Sequence, residues 1–292
     1  MRVTTQLMTE SMKNHLLSQT ERMLKKQEII STTKRINRPS DDPIGAASVL
    51  YHKRLLSSID QYDRNIQVGK NRMEFTETTL ETVEDLISEG RNWAINQASA
   101  TVTDRDNAYF QVERIRDQML QLANSKLGDN YIFGGHQTDA PPFDVDGNYQ
   151  GDDGKHSVII GDKREMSMEA DGSRIFHGTS GTADVFDIMN QLLTGIQNGE
   201  VTLIQSQVDR LTEAREQIQN IRAENAASYK HMEMTESQLA RFHLSVENII
   251  SRTEDADLNE AIIDLKNQEV AYQAALETAA RIVQPTLMNF LG

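Results

Sequence analysis

The residues whose types and spacing could do chemistry lie in one short stretch near the middle of the chain. Asp144-Val145-Asp146-Gly147-Asn148 opens like a calcium-binding loop. Such a loop needs a glycine at a fixed place for its sharp turn and a bidentate glutamate at its end. Here the glycine is out of place, and Lys155 stands where the glutamate belongs. Gly154-Lys155 hints at a phosphate-binding loop. His156 stands where a Ser or Thr must reach magnesium, and Tyr149 replaces the first glycine. Asp146-Gly147 is better explained as a tight turn. The seven histidines form no ligand pattern, and His231 has no second ligand at metal spacing beside a cleft signal. The many carboxylate pairs suit solvated helix faces. No cysteine occurs, so disulfides, thiolate metal sites and Cys nucleophiles are excluded. The expectation is therefore no catalytic residue, no metal and no cofactor.

Composition narrows the class further. Aromatic residues make up 5% and hydrophobic residues 38% of 292 residues. That is thin for one large globular core but suits long helices that bury a narrow stripe. The net charge of −14 argues against nucleic-acid binding, which relies on Lys and Arg neutralising phosphates. No apolar run has the length of a membrane-spanning helix, and Met1 to Leu17 lacks the apolar centre of a signal peptide. If the protein is exported, no cleaved secretory signal is expected.

Periodicity predicts long helices. Steps of four and three residues from Leu55 give Ile59, Tyr62, Ile66, Gly69, Met73, Thr76, Leu80, Val83, Ile87, Gly90 and Ala94. That is a seam of coiled-coil type over 44–100. A second long helix over 201–252 offers Ile204, Val208, Leu211, Ile218, Tyr229, Met232, Leu239, Val246 and Ile250. Arg215, Arg222 and Asn225 interrupt it, which predicts looser packing there. Shorter helices are expected after Asp104, with Gly128 as stop, and near Thr182, with Gly199 as stop. Between them, 136–181 is rich in Gly, Asp and Pro. It carries strand candidates at 157–160, 164–170 and 174–176.

The two ends are weakly amphipathic. Met8, Met12, Leu16, Met23 and Ile30 form a stripe in the first 38 residues. Leu258, Ile262, Leu265, Tyr272, Leu276 and Val283 form another, before Pro285, which should bend or end the helix, and an apolar tail with Phe290. Residues 1–40 carry net +5 and residues 254–292 net −5. Opposite charge favours their pairing, and these residues are the expected assembly interface.

The first helix should stop at Arg38, because Pro39 disfavours helical geometry at the residue before it. Ser40 or Asp41 can cap the next helix, and Pro43 fits its first turn. The run Arg35-Ile36-Asn37, then Ser40-Asp41-Asp42-Pro43, resembles the N-terminal signature of bacterial flagellins and their relatives. Ser251-Arg252-Thr253-Glu254-Asp255-Ala256-Asp257 resembles the C-terminal signature of the same family. The short middle and the Asp-Asp-Pro joint are closer to its hook-associated members than to filament subunits.

The resemblance implies a mainly α fold: a long helical coiled-coil or bundle rod with paired terminal helices and a small inserted β domain. Residues 1–40 plus 255–292 would form an inner coiled-coil domain, 41–135 plus 182–254 a helical rod, and 136–181 the inserted domain. It implies a structural, non-enzymatic part of the extracellular flagellum, joining hook to filament and exported by the flagellar type III pathway. Its implied partners are other copies in a helical ring, a neighbouring hook-associated protein, flagellin and a cytoplasmic export chaperone. No nucleic acid and no membrane insertion are implied. A filament subunit, a non-flagellar coiled-coil adaptor and an enzyme in the inserted domain remain the alternatives.

Overall fold

The computed structural model describes residues 2–99, 104–168, 172–178 and 183–291, with side chains described within 7–280. The elements in order are α1 (Arg2–Thr32), α2 (Pro43–Gln97), α3 (Arg105–Ala123), β1 (Lys126–Leu127) and β2 (Asn130–Tyr131). There follow β3 (His156–Gly161), β4 (Arg164–Met168), a π-helical turn (Ser173–His177), α4 (Val185–Asn198), α5 (Val201–Glu254) and α6 (Leu258–Leu291). The fold is mainly helical, with paired terminal helices and small β hairpins inserted. Among the described residues no helix is long and apolar enough to cross a membrane. The chain divides into two compact units, 1–58 with 241–292, and 59–240.

In the 59–240 unit, α2 and α5 run antiparallel. Lys70 pairs with Glu236 at 2.9 Å, Arg222 with Glu77 at 2.8 Å, and Arg91 donates to Thr212 at 2.9 Å. The predicted seam is the buried face: Ile66, Leu80, Val83, Ile87 and Ala94 are fully buried, as are Ile204, Leu211, Ile218 and Met232 opposite. α3 and α4 complete a four-helix core through Ala108, Val112, Ile115 and Met119, and Ile188, Met189, Leu192 and Ile196. The polar interruptions are partly filled rather than merely loose. Arg222 spans Glu77 and Glu84, and buried Asn225 donates to the Met73 carbonyl at 3.0 Å. A cavity of about 540 Å³ does open beside Asn225, lined by Met73, Ala226 and Tyr229.

Four phenylalanines close one part of this core. Phe133, Phe143, Phe176 and Phe186 pack together, mostly edge-on or tilted, with ring centroids 5.4–5.9 Å apart. The expected strand at 174–176 is instead the π-helical turn, because Ile175 and Phe176 are consecutive and both buried. A strand would send one of them to the opposite face. Gly128 does not stop α3; Asn124 does, and Gly128, with φ +67°, makes the β1–β2 turn. Gly199, with φ +71°, ends α4 as expected. Gly147 takes φ +92° in a turn whose N–H donates to the Asp144 carbonyl. The Asp144 carboxylate accepts from the N–H groups of Asp146 and Asn148, so it organises a turn.

The β3–β4 hairpin sits on a satellite core. Ile160 and Met168 from the hairpin meet Ile66 and Met73 of α2 and Met232 of α5. Gly69 allows this approach: a Cβ there would lie 2.7 Å from the Met232 methyl.

In the other unit, α1 and α6 pair antiparallel. Lys26 meets Asp264 at 2.5 Å, and the 9–20 stretch flanks Tyr272 and Ala279. Pro285 does not end α6, which continues to Leu291. A helical proline loses its own i→i−4 bond and crowds the carbonyl four residues back, a cost of about 3 kcal/mol that this helix carries without ending.

Candidate assembly site

α1 ends at Thr32, six residues before the position set by Pro39. Thr33 adopts φ +59°, which turns the backbone out of the helix. The chain then runs extended past the C-terminus of α5, whose last carbonyls have no intrahelical partner. Each strand satisfies the other. Lys34 and Asp255 form an antiparallel bridge. The Arg35 N–H donates to the Glu254 carbonyl at 2.7 Å, and the Ala256 N–H to the Thr33 carbonyl at 3.0 Å. The two signature segments, about 220 residues apart in sequence, are one hydrogen-bonded joint.

Side chains reinforce it. Glu254, 8% exposed, receives Lys34 at 3.1 Å and Lys53 at 2.8 Å. Burial raises its pKa, but the lysine hydrogen bonds and charges outweigh that and hold it below the ordinary 4.5. The Arg35 guanidinium donates to the Thr253 carbonyl at 2.9 Å and to Asp42 at 3.3 Å. Asp41 does not cap the following helix. It accepts from the N–H groups of Asn37 and Arg38 and pairs with Lys25 at 2.8 Å, which chiefly lowers its pKa. Asp42 is the cap, accepting from the Gly45 N–H at 2.9 Å, and that bond chiefly lowers its pKa. Ser40, Pro43, Arg252 and Asp255 are exposed. Ile36 is buried against Gly45, where a Cβ would lie 2.7 Å from the Ile36 terminal carbon. Asp257 caps α6 through the N–H groups of Asn259 and Glu260.

Glu254→Gln should destabilise the joint by about 1–2 kcal/mol, the lower end reflecting two partly exposed lysines. Hydrogen exchange at the Arg35 amide would report it. The pH dependence follows from the depressed pKa. The stabilisation is full above the ordinary glutamate value and is lost as pH falls through the lower folded value. The glutamine variant should lack that acid step.

The proposed interface residues are distributed unevenly. Met12, Leu16 and Tyr272 line a common groove of about 300 Å³ between α1 and α6. Met23, Ile30 and Leu265 are half-buried. Met8, Leu258, Ile262 and Leu276 are exposed. The side chains of Val283 and Phe290 lie outside the described residues. The stripes left out Leu17, Ile263 and Val270, exposed on the same two helices, as are Leu7 and Leu24, which flank the first stripe. They also left out Lys53, which no local pattern links to Glu254. Among the described residues no group of three or more acidic or histidine side chains is placed to hold a metal.

Fold and site together define a helical structural protein whose two ends are tied to each other and carry uncovered apolar side chains. A model of the bacterial flagellin N-terminal helical region matches residues 3–138. Flagellar hook-associated protein 3 of Salmonella typhimurium is 25% identical over 95% of this chain and 96% of its own length. The flagellar filament core protein flaB2 of Brachyspira hyodysenteriae is 24% identical over 89% of this chain and 87% of its own. The crystal structure of Bacillus cereus FlgL superposes with a TM-score of 0.61 at 21% identity, covering 69% of this chain and 99% of that one. The chain is thus similar to bacterial flagellins over residues 3–138 and to a hook-associated relative over nearly its whole length.

Proposed function

We propose that this protein is the adaptor between hook and filament of the bacterial flagellum. The observation that carries this is the end-to-end match to hook-associated protein 3, which spans both halves of the stitched joint. The exposed apolar residues of α1 and α6 support assembly through the termini, since neighbouring subunits would cover them. In this reading 1–40 plus 255–292 form the inner layer, 41–135 plus 182–254 the layer outside it, and 136–181 the outer domain. Copies of the chain form a helical ring. A second hook-associated protein lies on one side and flagellin on the other. The protein travels unfolded through the flagellar type III pathway, with a cytoplasmic chaperone covering its C-terminal helix until export.

Immunogold labelling of flagella with antibody to residues 136–181 tests the proposal. The expected result is a narrow band between hook and filament. Label along the whole filament would make the protein a filament subunit instead, the reading favoured by the match to flaB2.

A further inference from the structure

The histidines dismissed as metal ligands meet at the foot of the β3–β4 hairpin. His156, the first residue of β3, is half-buried, and its Nε2 lies 2.7 Å from the Gly135 carbonyl. A carbonyl only accepts, so Nε2 carries the proton and further proton uptake falls to Nδ1. The His136 ring stands edge-on to the His156 ring, with centroids 5.4 Å apart. From α2, Arg72 approaches the same corner. Its guanidinium donates to the Ile132 carbonyl at 2.7 Å, and its Nε is buried without a partner. Among the described residues the carboxylate at this corner is Asp152, and its Oδ1 already accepts from the N–H groups of His136 and Gly154 at 2.7 and 2.8 Å. A permanent cation and two cationisable rings thus lie beside a carboxylate whose Oδ1 is already engaged.

We propose that this corner is an acid-operated latch: protonation of His156 releases the β3–β4 hairpin from its seat on α2 and α5. The new charge would sit half-buried beside Arg72 and next to a second histidine. His156 also pairs across the hairpin with Met168, which is part of the satellite core. Displacing it therefore loosens the contact of Met168 and Ile160 with Ile66, Met73 and Met232. At the other end the hairpin is held by Asn65, which donates to the Ile159 carbonyl at 2.7 Å. This bond does not titrate.

The direction of the effect follows from the environment. Burial, then Arg72 and His136, depress the His156 pKa against the opposing Gly135 bond and Asp152. The released hairpin thus binds more protons than the seated one in the histidine range. Seating is strongest above the ordinary value of 6.5 and weakens as pH falls through and below it. Asp152 has a pKa held below 3.8 by its N–H donors, so its own protonation belongs to more acid conditions.

Hydrogen exchange on the full chain, expressed as protection factors, tests the latch. Between about pH 7 and about pH 5, ladder amides of 156–168 should lose protection about threefold or more, while core amides of α3 and α4 hold theirs. His156→Gln keeps a donor for the Gly135 carbonyl and cannot titrate, so the loss should vanish. Arg72→Gln removes the neighbouring cation and should shrink it, which serves as the test if the first variant misfolds. Peroxide oxidation of Met168 and Met232 should accelerate over the same range. Unchanged hairpin protection in the wild type would overturn the proposal. So would an equal loss in His156→Gln, or parallel loss throughout the α3–α4 core.

Discussion

Replacing both Leu265 and Leu276 with serine should abolish incorporation of the protein into flagella while leaving residues 59–240 folded. Leu276 is 43% exposed and Leu265 half-buried on α6, so neither is spent fully within the chain. Covering a leucine completely is worth about 1.5–3 kcal/mol relative to exposure. Two serines would thus remove several kcal/mol from each assembled subunit, and the repeat around a ring multiplies the loss. Serine is also a weaker helix former than leucine by a few tenths of a kcal/mol. The isolated protein forfeits less, because it never gained the full burial. The expected signature is a strain that exports the variant but does not retain it on sheared flagella, with nearly unchanged circular dichroism. Wild-type levels of the double variant on flagella would refute assembly through this face of α6.

The difference between local and non-local information explains which parts of this structure are legible in the sequence. The α2 seam was legible residue by residue. Period alone predicts Ile66, Met73, Leu80, Val83 and Ile87 on one face, and all are at most 2% exposed. The signature segments were legible as motifs, yet their stitching was not. A backbone bond between Arg35 and Glu254 leaves no trace in either segment. The choice of Asp42 over Asp41 as cap has the same origin. Both are competent acceptors, and it is Lys25 on α1, together with the Asn37 and Arg38 N–H groups, that engages Asp41.

The short run 174–176 reads as a strand from sequence, and the structure makes it a π-helical turn. Burial of two adjacent side chains in the phenylalanine cluster decided it. The stripes of α1 and α6 are weak for a different reason. Much of their apolar surface, including Leu7, Leu17 and Val270, finds no cover within the chain. A helix whose partners lie elsewhere has no reason to show a clean pattern against its own core.

Within the α2 seam, substitutions of opposite sign are expected three turns apart. Ile87 is fully buried among residues of α3, α4 and α5. Truncating such a side chain to alanine costs about 2–5 kcal/mol, a large share of the about 5–15 kcal/mol that stabilises a domain. Aspartate at the same position adds a carboxylate with no cation or donor in that apolar core, which costs more than the cavity alone. Ile87→Asp should therefore leave 59–240 without a cooperative thermal transition. Thr76 lies on the same stripe, 1% exposed, with its hydroxyl oxygen buried and without a hydrogen-bond partner. Thr76→Val keeps the shape and β-branching and removes the unmet polar group. It should stabilise the unit by about 1 kcal/mol, raising its melting temperature by a few degrees. Calorimetry on the two variants separates the terms. A destabilised Thr76→Val would mean that the hydroxyl is satisfied in solution, whereas a cooperatively folded Ile87→Asp would mean that the seam admits water.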